Sequence, residues 1–173
     1  MTIIIGIILC LVVLGLILWF AVRRLRRNRA LKILKAHSEK LTDQVVHESF
    51  PELVQQYPHW AQPQTLLSNP VEDIWGRGVM VFEYQAQVTS AKVSAVEIMH
   101  ALEKLLNQNA QKAHIDSSNQ KYKPFIVSDG WYLDDQFHFD VAFMTNQPTI
   151  DYVQDMRRLD LKDDILKPAS NKS

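Results

Sequence analysis

The feature that most constrains this chain is an apolar run near its N-terminus. From Ile3 to Val22 the sequence holds twenty consecutive residues without a charged side chain, and most of them are apolar. At about 1.5 Å per residue, a helix of this length spans the roughly 30 Å hydrocarbon core of a bilayer. A cleaved signal peptide would need basic residues before the run and a small-x-small site after it, and neither is present. The sequence therefore predicts a retained signal-anchor, with a transmembrane helix over residues 1–22.

A basic stretch follows the apolar run directly. No Lys or Arg precedes the run, whereas five arginines lie within the seven residues after it: Arg23, Arg24, Arg26, Arg27 and Arg29. Because basic residues beside a span favour the cytoplasmic side, this asymmetry predicts an outside N-terminus and a cytoplasmic C-terminal domain. The expected location is the bacterial inner membrane, with a single pass. The arginines act as a topology signal or, alternatively, bind anionic lipid.

The charge of the remaining chain has the opposite sign. Residues 23–48 lack Gly and Pro and predict a basic juxtamembrane helix, but residues 41–173 hold 11 Lys+Arg against 18 Asp+Glu, a formal net charge of −7. Nucleic-acid binding is disfavoured, because this body repels a polyanion and no aromatic residue interleaves the arginines. The single cysteine, Cys10, excludes an internal disulfide scaffold.

Prolines interrupt the middle of the chain. The sequence Ser49-Phe50-Pro51-Glu52 has the pattern of a capping box, which predicts a short helix that ends near Gln56. Three further prolines follow by residue 70, so residues 49–76 are predicted to be a Pro-interrupted spacer. Its apolar side chains, Trp60 among them, indicate that part of the spacer packs against the following domain.

Residues 77–160 predict a cytoplasmic α+β domain. Alternating apolar and polar residues predict strands over Gly78–Val88, Phe125–Leu133 and Gln136–Met144. A 3.6-residue apolar period predicts a helix over Ala95–Asn109, opened by a capping box from Ser94 to Glu97. Asp134-Asp135 is the expected hairpin turn, and Asp129-Gly130 a bulge or a competing turn.

A second helix is expected from Pro148 or Thr149 to about Leu159, followed by a flexible tail over residues 161–173. The predicted fold class is therefore α+β: a single N-terminal transmembrane helix followed by a small antiparallel sheet of three or four strands, with two helices on one face.

No common catalytic motif occurs in the sequence. Phosphate-cradling Gly-rich loops, HExxH and CxxC are all absent, and the six histidines are scattered at no ligand spacing. The sequence therefore predicts no enzyme, no cofactor and no metal site. One alternative remains, because His138 and Asp140 lie two residues apart on one strand face: a membrane-bound small-ligand sensor or enzyme with a pocket near these residues and Trp131.

Several aromatic residues lie outside the predicted core stripes. They are Tyr57, Trp60, Trp75, Trp131 and Tyr132. They seal the edges of a small domain or, alternatively, form a recognition surface, since Trp and Tyr provide large rigid contact areas. The residues predicted to bind a partner protein are Trp131, Tyr132, His138 and Asp140.

The layout of the chain resembles that of a known family. A short N-terminus, one apolar span, the collar Arg23-Arg24-Leu25-Arg26-Arg27-Asn28-Arg29, a Pro/Gln-tinged spacer and an α+β domain make it similar to ZipA-type bacterial cell-division anchors. In that family the sheet face of the cytoplasmic domain binds the tail of the division tubulin FtsZ. The resemblance implies a membrane-tethered adaptor that docks a protein of a division or envelope complex.

Overall fold

The computed structural model describes residues 2–66, 68–70 and 78–166, with the side chains of residues 2–10, 69–70 and 159–166 outside that description. Two compact units divide the chain, a first unit that ends at His37 and a second unit that begins at Ser38. In chain order the elements are α1 (Thr2–Gln56), β1 (Ser68–Pro70), β2 (Val81–Gln87), α2 (Ala95–Lys112), β3 (Phe125–Leu133), β4 (Gln136–Phe143) and α3 (Gln147–Leu166).

The first unit, the N-terminal part of α1, corrects the membrane prediction. Within the part of the chain that the structure describes, no helix is both long and apolar enough to cross a membrane. Residues 3–10 of the predicted run, including Cys10, lie outside the described side chains. The transmembrane helix, the single-pass topology and the inner-membrane location are thus contradicted.

The capping box expected at Ser49 does not form, because α1 continues through it to Gln56 with Pro51 inside the helix. A proline in a helix removes one backbone hydrogen bond and crowds the preceding turn. Its neighbours Phe50 and Leu53 are 1% and 0% exposed, so their packing offsets this cost. Ser49 is buried instead of opening a helix, and its Oγ accepts a hydrogen bond from Asn109 Nδ2 at 3.0 Å.

The sheet of the second unit has four antiparallel strands in the order β1-β2-β4-β3. β4 is therefore central, with Tyr84 of β2 opposite Phe139 on one side and Trp131 of β3 opposite His138 on the other. The three-residue strand β1 pairs with the far side of β2. The antiparallel sheet of three or four strands was predicted, although β1 falls in the predicted spacer.

The hairpin between β3 and β4 forms as the sequence predicts. β3 ends at Leu133 and β4 begins at Gln136, so the turn is Asp134-Asp135, and Asp134 has a φ of 52°. Positive φ is characteristic of two-residue hairpin turns, and Asp tolerates it better than most residues. The register shifts between Val127 and Asp129, which places a β-bulge just before the predicted Asp129-Gly130 position.

One sheet face, the core face, carries the large aromatic residues. Its fully buried side chains are Phe82, Tyr84, Ala86, Phe125, Phe137, Phe139 and Val141. On this side Tyr84 donates a hydrogen bond to Asp43 of α1 at 2.7 Å. The inner stripe of α2 is also buried, as its 3.6-residue period predicts: Ile98, Leu102, Leu105, Leu106 and Asn109.

The prediction of two helices on one face is wrong, because three helices cover two faces. α3 packs on the face opposite the core face, where its Ile150 and Val153 form a cluster with Val81, Ile126 and Ala142. These three strand residues are apolar and lie at one end of the sheet, so leaving them uncovered would expose a patch to water. α3 also continues to Leu166, beyond the predicted end at Leu159, and the rest of the predicted tail lies outside the described residues.

The second unit is larger than the predicted domain of residues 77–160. Residues of the predicted spacer pack within it: Trp60 is 1% exposed, Leu66 is 2% exposed, and Ala61 bridges to Val88. Trp75 lies outside the described residues. At the start of α2, Ser94 has the extended backbone of an N-cap residue but its side chain makes no capping hydrogen bond.

Candidate functional site

The part of the sheet that α3 leaves uncovered, opposite the core face, is called the open face here. Strand register arranges its side chains in rows across β2, β4 and β3. The acidic row consists of Glu83, Asp140 and Asp129; the next row consists of Gln85, His138 and Trp131; and the last consists of Gln87, Gln136 and Leu133. The open face therefore combines a line of three carboxyl groups with an aromatic and aliphatic edge.

His138 connects the first two rows. Its Nδ1 lies 3.0 Å from Oε1 of Glu83, so a proton on Nδ1 is donated to that carboxylate. The imidazole also stacks on the indole of Trp131, with ring centres 5.2 Å apart and planes 15° from parallel. These two contacts hold the ring in place and leave His138 only 7% exposed.

Asp140 has the most unusual environment on the open face. The residue is 7% exposed, and its Oδ1 has no hydrogen-bond partner among the described residues. Burial raises the pKa of Asp140 to about 6, with further contributions from the nearby carboxyl groups of Glu83 and Asp129, while His138 opposes the shift. Among the described residues no group of three potential ligands is arranged to hold a metal ion.

The edge of the open face presents apolar surface to solvent. Trp131 is 36% exposed and Leu133 is 55% exposed, and both belong to β3, which lies at one edge of the sheet. Because they are two residues apart on one strand, their side chains lie on the same side of the sheet. The sequence singled out Trp131 but missed Leu133, Glu83 and Asp129, which join the site only through strand register.

Tyr132 does not belong to the open face. Successive residues of a strand point to opposite sides, so Tyr132 faces the core side and its ring lies 4.9 Å from that of Phe137. Its hydroxyl accepts a hydrogen bond from Trp60 Nε1 at 2.8 Å and donates one to the carbonyl of Val93 at 2.9 Å. Burial raises the pKa of Tyr132. Of the four residues predicted to bind a partner, the structure brings together three and turns the fourth away.

A cleft lies elsewhere, between α2, β3 and α3. Its volume is about 170 Å³, and its lining includes Met99, Glu103, Ile126 and Val153. His138, Asp140 and Trp131 do not line this cleft.

The five arginines of the predicted collar belong to the first unit and are all exposed. The guanidinium of Arg23 lies 5.1 Å from the ring centre of Trp19, within the range of a cation–π contact. This pair occupies neighbouring turns of α1, so the contact is local to the helix.

Comparison of the chain with protein-family models, with curated proteins and with solved structures gives no match. The resemblance to ZipA-type anchors therefore stays an expectation from the layout of the sequence.

Proposed function

We propose that this chain is a non-enzymatic adaptor whose open face docks a segment of a partner protein. The observation that carries the proposal is the exposure of Trp131 and Leu133 on a part of the sheet that no described helix covers, beside three carboxyl groups. Tryptophan is one of the residue types that are enriched among the energetically dominant residues of protein interfaces. The proposal rests on this surface and not on the layout of the N-terminal region.

The charge of the surface defines the partner segment. The acidic row lies in a chain region, residues 41–173, with a formal net charge of −7. Complementary charge accelerates encounter and excludes like-charged competitors. The expected partner segment therefore carries positive charge together with an apolar side chain that covers Trp131 and Leu133.

Site-specific photo-crosslinking with the full chain tests this proposal. A photoreactive residue replaces Leu133 in one variant and Val96 in a matched control, because both are exposed aliphatic side chains, at 55% and 60% exposure. We expect one protein to crosslink at position 133 and not at position 96, and Trp131→Ala to abolish that crosslink. Equal labelling at both positions, or none at position 133, contradicts the proposal.

One observation favours acid–base chemistry as a second candidate. A carboxyl group with a pKa of about 6 beside a histidine has the protonation behaviour of a general base. However, the Nδ1 of His138 already contacts Glu83, and the stacked Trp131 covers the ring face. Turnover by the wild-type chain that Asp140→Asn abolishes would establish this candidate over the adaptor.

A further inference from the structure

The acidic row concentrates like charge, and among the described residues the basic side chain in contact with it is His138, at Glu83. Glu83, Asp140 and Asp129 are direct cross-strand neighbours, an arrangement that destabilises a sheet when all three carboxyl groups are ionised. In the described part of the chain, no Lys or Arg forms an ion pair with any of the three. The negative charge of the row therefore favours binding of a cationic group from outside the described residues.

Asp140 gives a second and independent indication of a ligand. It is more than nine-tenths buried, and its Oδ1 receives no hydrogen bond from the described residues. A buried acceptor without a donor costs free energy, and the cost is larger for a charged group. A positively charged donor would satisfy the Asp140 oxygen and also offset the charge of the facing Asp129.

The ring of Trp131 favours one kind of cationic donor over others. Trp131 stands in the next row, stacked on His138 and still 36% exposed, so an accessible aromatic side chain adjoins the acidic row. A guanidinium is planar, stacks on aromatic rings and binds carboxylates through two parallel hydrogen bonds, whereas an ammonium is a strongly hydrated point charge. A metal ion fits less well, because the described residues hold no ligand group of three.

We infer that the acidic row is a receptor for a guanidinium, so that the partner segment presents an arginine side chain to Asp140 across the face of Trp131. This inference rests on the proposed function, since it names the chemistry that the open face recognises. It also assigns separate roles to the two parts of the face: Leu133 and Trp131 take the apolar contact, and Asp140 takes the charge.

The test uses the isotope-labelled full chain and three small probes: N-acetyl-arginine amide, N-acetyl-citrulline amide and N-acetyl-lysine amide. Citrulline has the shape of arginine without its charge, and lysine has the positive charge without the planar guanidinium group. In a nuclear magnetic resonance titration, the arginine probe should shift the signals of Asp140, Asp129 and Trp131. It should also lower the pKa read from the Asp140 carboxyl carbon. Citrulline should bind about tenfold more weakly or not at all.

Two variants and a control identify the receptor group. Asp140→Asn should weaken binding of the arginine probe by about tenfold, and Asp129→Asn, at an exposed position, by a smaller factor. Asp116→Asn, an exposed carboxyl group of the loop after α2, should leave binding unchanged. The spectrum of each variant reports directly whether it is folded.

The outcomes separate this inference from the proposed function. Equal binding of the citrulline or lysine probe, or shifts confined to other parts of the chain, overturns the guanidinium receptor. If that occurs while the crosslink at position 133 and its loss in Trp131→Ala persist, the adaptor stands and only the arginine assignment fails. Arginine binding at the row without any crosslink at position 133 refutes the adaptor alone.

Discussion

Asp140 makes the stability of the fold depend on pH. Its pKa rises from an ordinary 3.8 to about 6, through burial and the facing Glu83 and Asp129, against the opposing effect of His138. The other group near it is the Tyr152 hydroxyl of α3, whose pKa is raised by its own burial and by Asp140. Because the folded state holds the proton more tightly than the unfolded chain, this contribution to stability is complete below pH 3.8 and is lost as the pH rises through 6.

Asp140→Asn should therefore stabilise the protein at pH 7.5 by about 2 kcal/mol, with little effect at pH 4. The figure is below the full value of the pKa shift, because solvent and neighbouring charges relax around the group. Urea unfolding of both proteins at the two pH values measures the difference. Asp116→Asn, which changes an exposed carboxyl group, is the control. It should leave the difference in unfolding free energy between pH 4 and pH 7.5 the same as in the wild type. Parallel stability curves for wild type and Asp140→Asn would contradict the assignment.

Tyr132, on the neighbouring strand β3, contributes to stability through the hydrogen bonds of its hydroxyl group. Its hydroxyl is the acceptor for Nε1 of Trp60, which is 1% exposed. Tyr132→Phe leaves that buried donor unpaired and should lower the free energy of unfolding by about 1 to 3 kcal/mol. Tyr57→Phe is the matched control, because it removes an exposed hydrogen bond to Glu97 and should cost less than about 0.5 kcal/mol. If the two variants lost the same free energy of unfolding in urea, the hydrogen bond to Trp60 would contribute no more to stability than the exposed one.

At the scale of the elements, the packing of α2 on β3 depends on a glycine. A Cβ on Gly130 would lie 2.8 Å from Cγ of Met99 and 3.1 Å from Cζ of Phe137, both closer than side chains normally approach. Gly130→Ala should therefore destabilise the fold by about 1 to 3 kcal/mol in thermal or urea unfolding, as overpacking does. Gly130→Ala combined with Met99→Ala should lose less than the sum of the two single changes.

Gly15 provides the opposite case within α1. A Cβ there would meet no atom within 4 Å, and the site is an exposed helix interior. Gly15→Ala should raise the helix content measured by circular dichroism slightly, because alanine favours the helix by about 0.5 to 1 kcal/mol. A destabilising Gly15→Ala or a neutral Gly130→Ala would contradict the packing account.

Local patterns in the sequence predict those elements whose causes are local. The β3–β4 hairpin follows from alternating residues and a two-residue Asp-Asp turn, and the inner stripe of α2 follows from its 3.6-residue period. The predicted capping boxes fail where tertiary partners compete. Ser49 pairs with Asn109, and Glu97 accepts a hydrogen bond from Tyr57 at 3.1 Å. Such contacts join residues far apart in the chain, and no short motif contains them.

Local sequence patterns also predict only part of the candidate site. His138 and Asp140 share a face because they are two residues apart on one strand, and the sequence is sufficient for that inference. The rule that separates Trp131 from Tyr132 is equally local, because successive residues of a strand point to opposite sides of the sheet. The contributions of Glu83 and Asp129 were not available in advance, because they depend on the strand order and on the bulge in β3.

For the whole molecule, the boundary of the folded unit lies inside α1. The second unit begins at Ser38, and the C-terminal part of α1 contributes buried apolar residues to it: Val45, Val46, Phe50, Leu53 and Val54. Burial of one such side chain contributes about 1.5 to 3 kcal/mol. Five of them together are comparable with the whole net stability of an ordinary domain, about 5 to 15 kcal/mol.

Two truncations test this boundary. A chain that begins at Ser38 keeps every one of these residues, so its unfolding midpoint should shift by no more than about 3 °C, which corresponds to about 1 kcal/mol at this size. A chain that begins at Tyr57 loses them all and leaves Tyr84 without Asp43, so it should show no cooperative transition by calorimetry. Cooperative unfolding of the shorter chain would place the boundary nearer residue 77, whereas failure of the longer one would show that residues before Ser38 belong to the same folding unit.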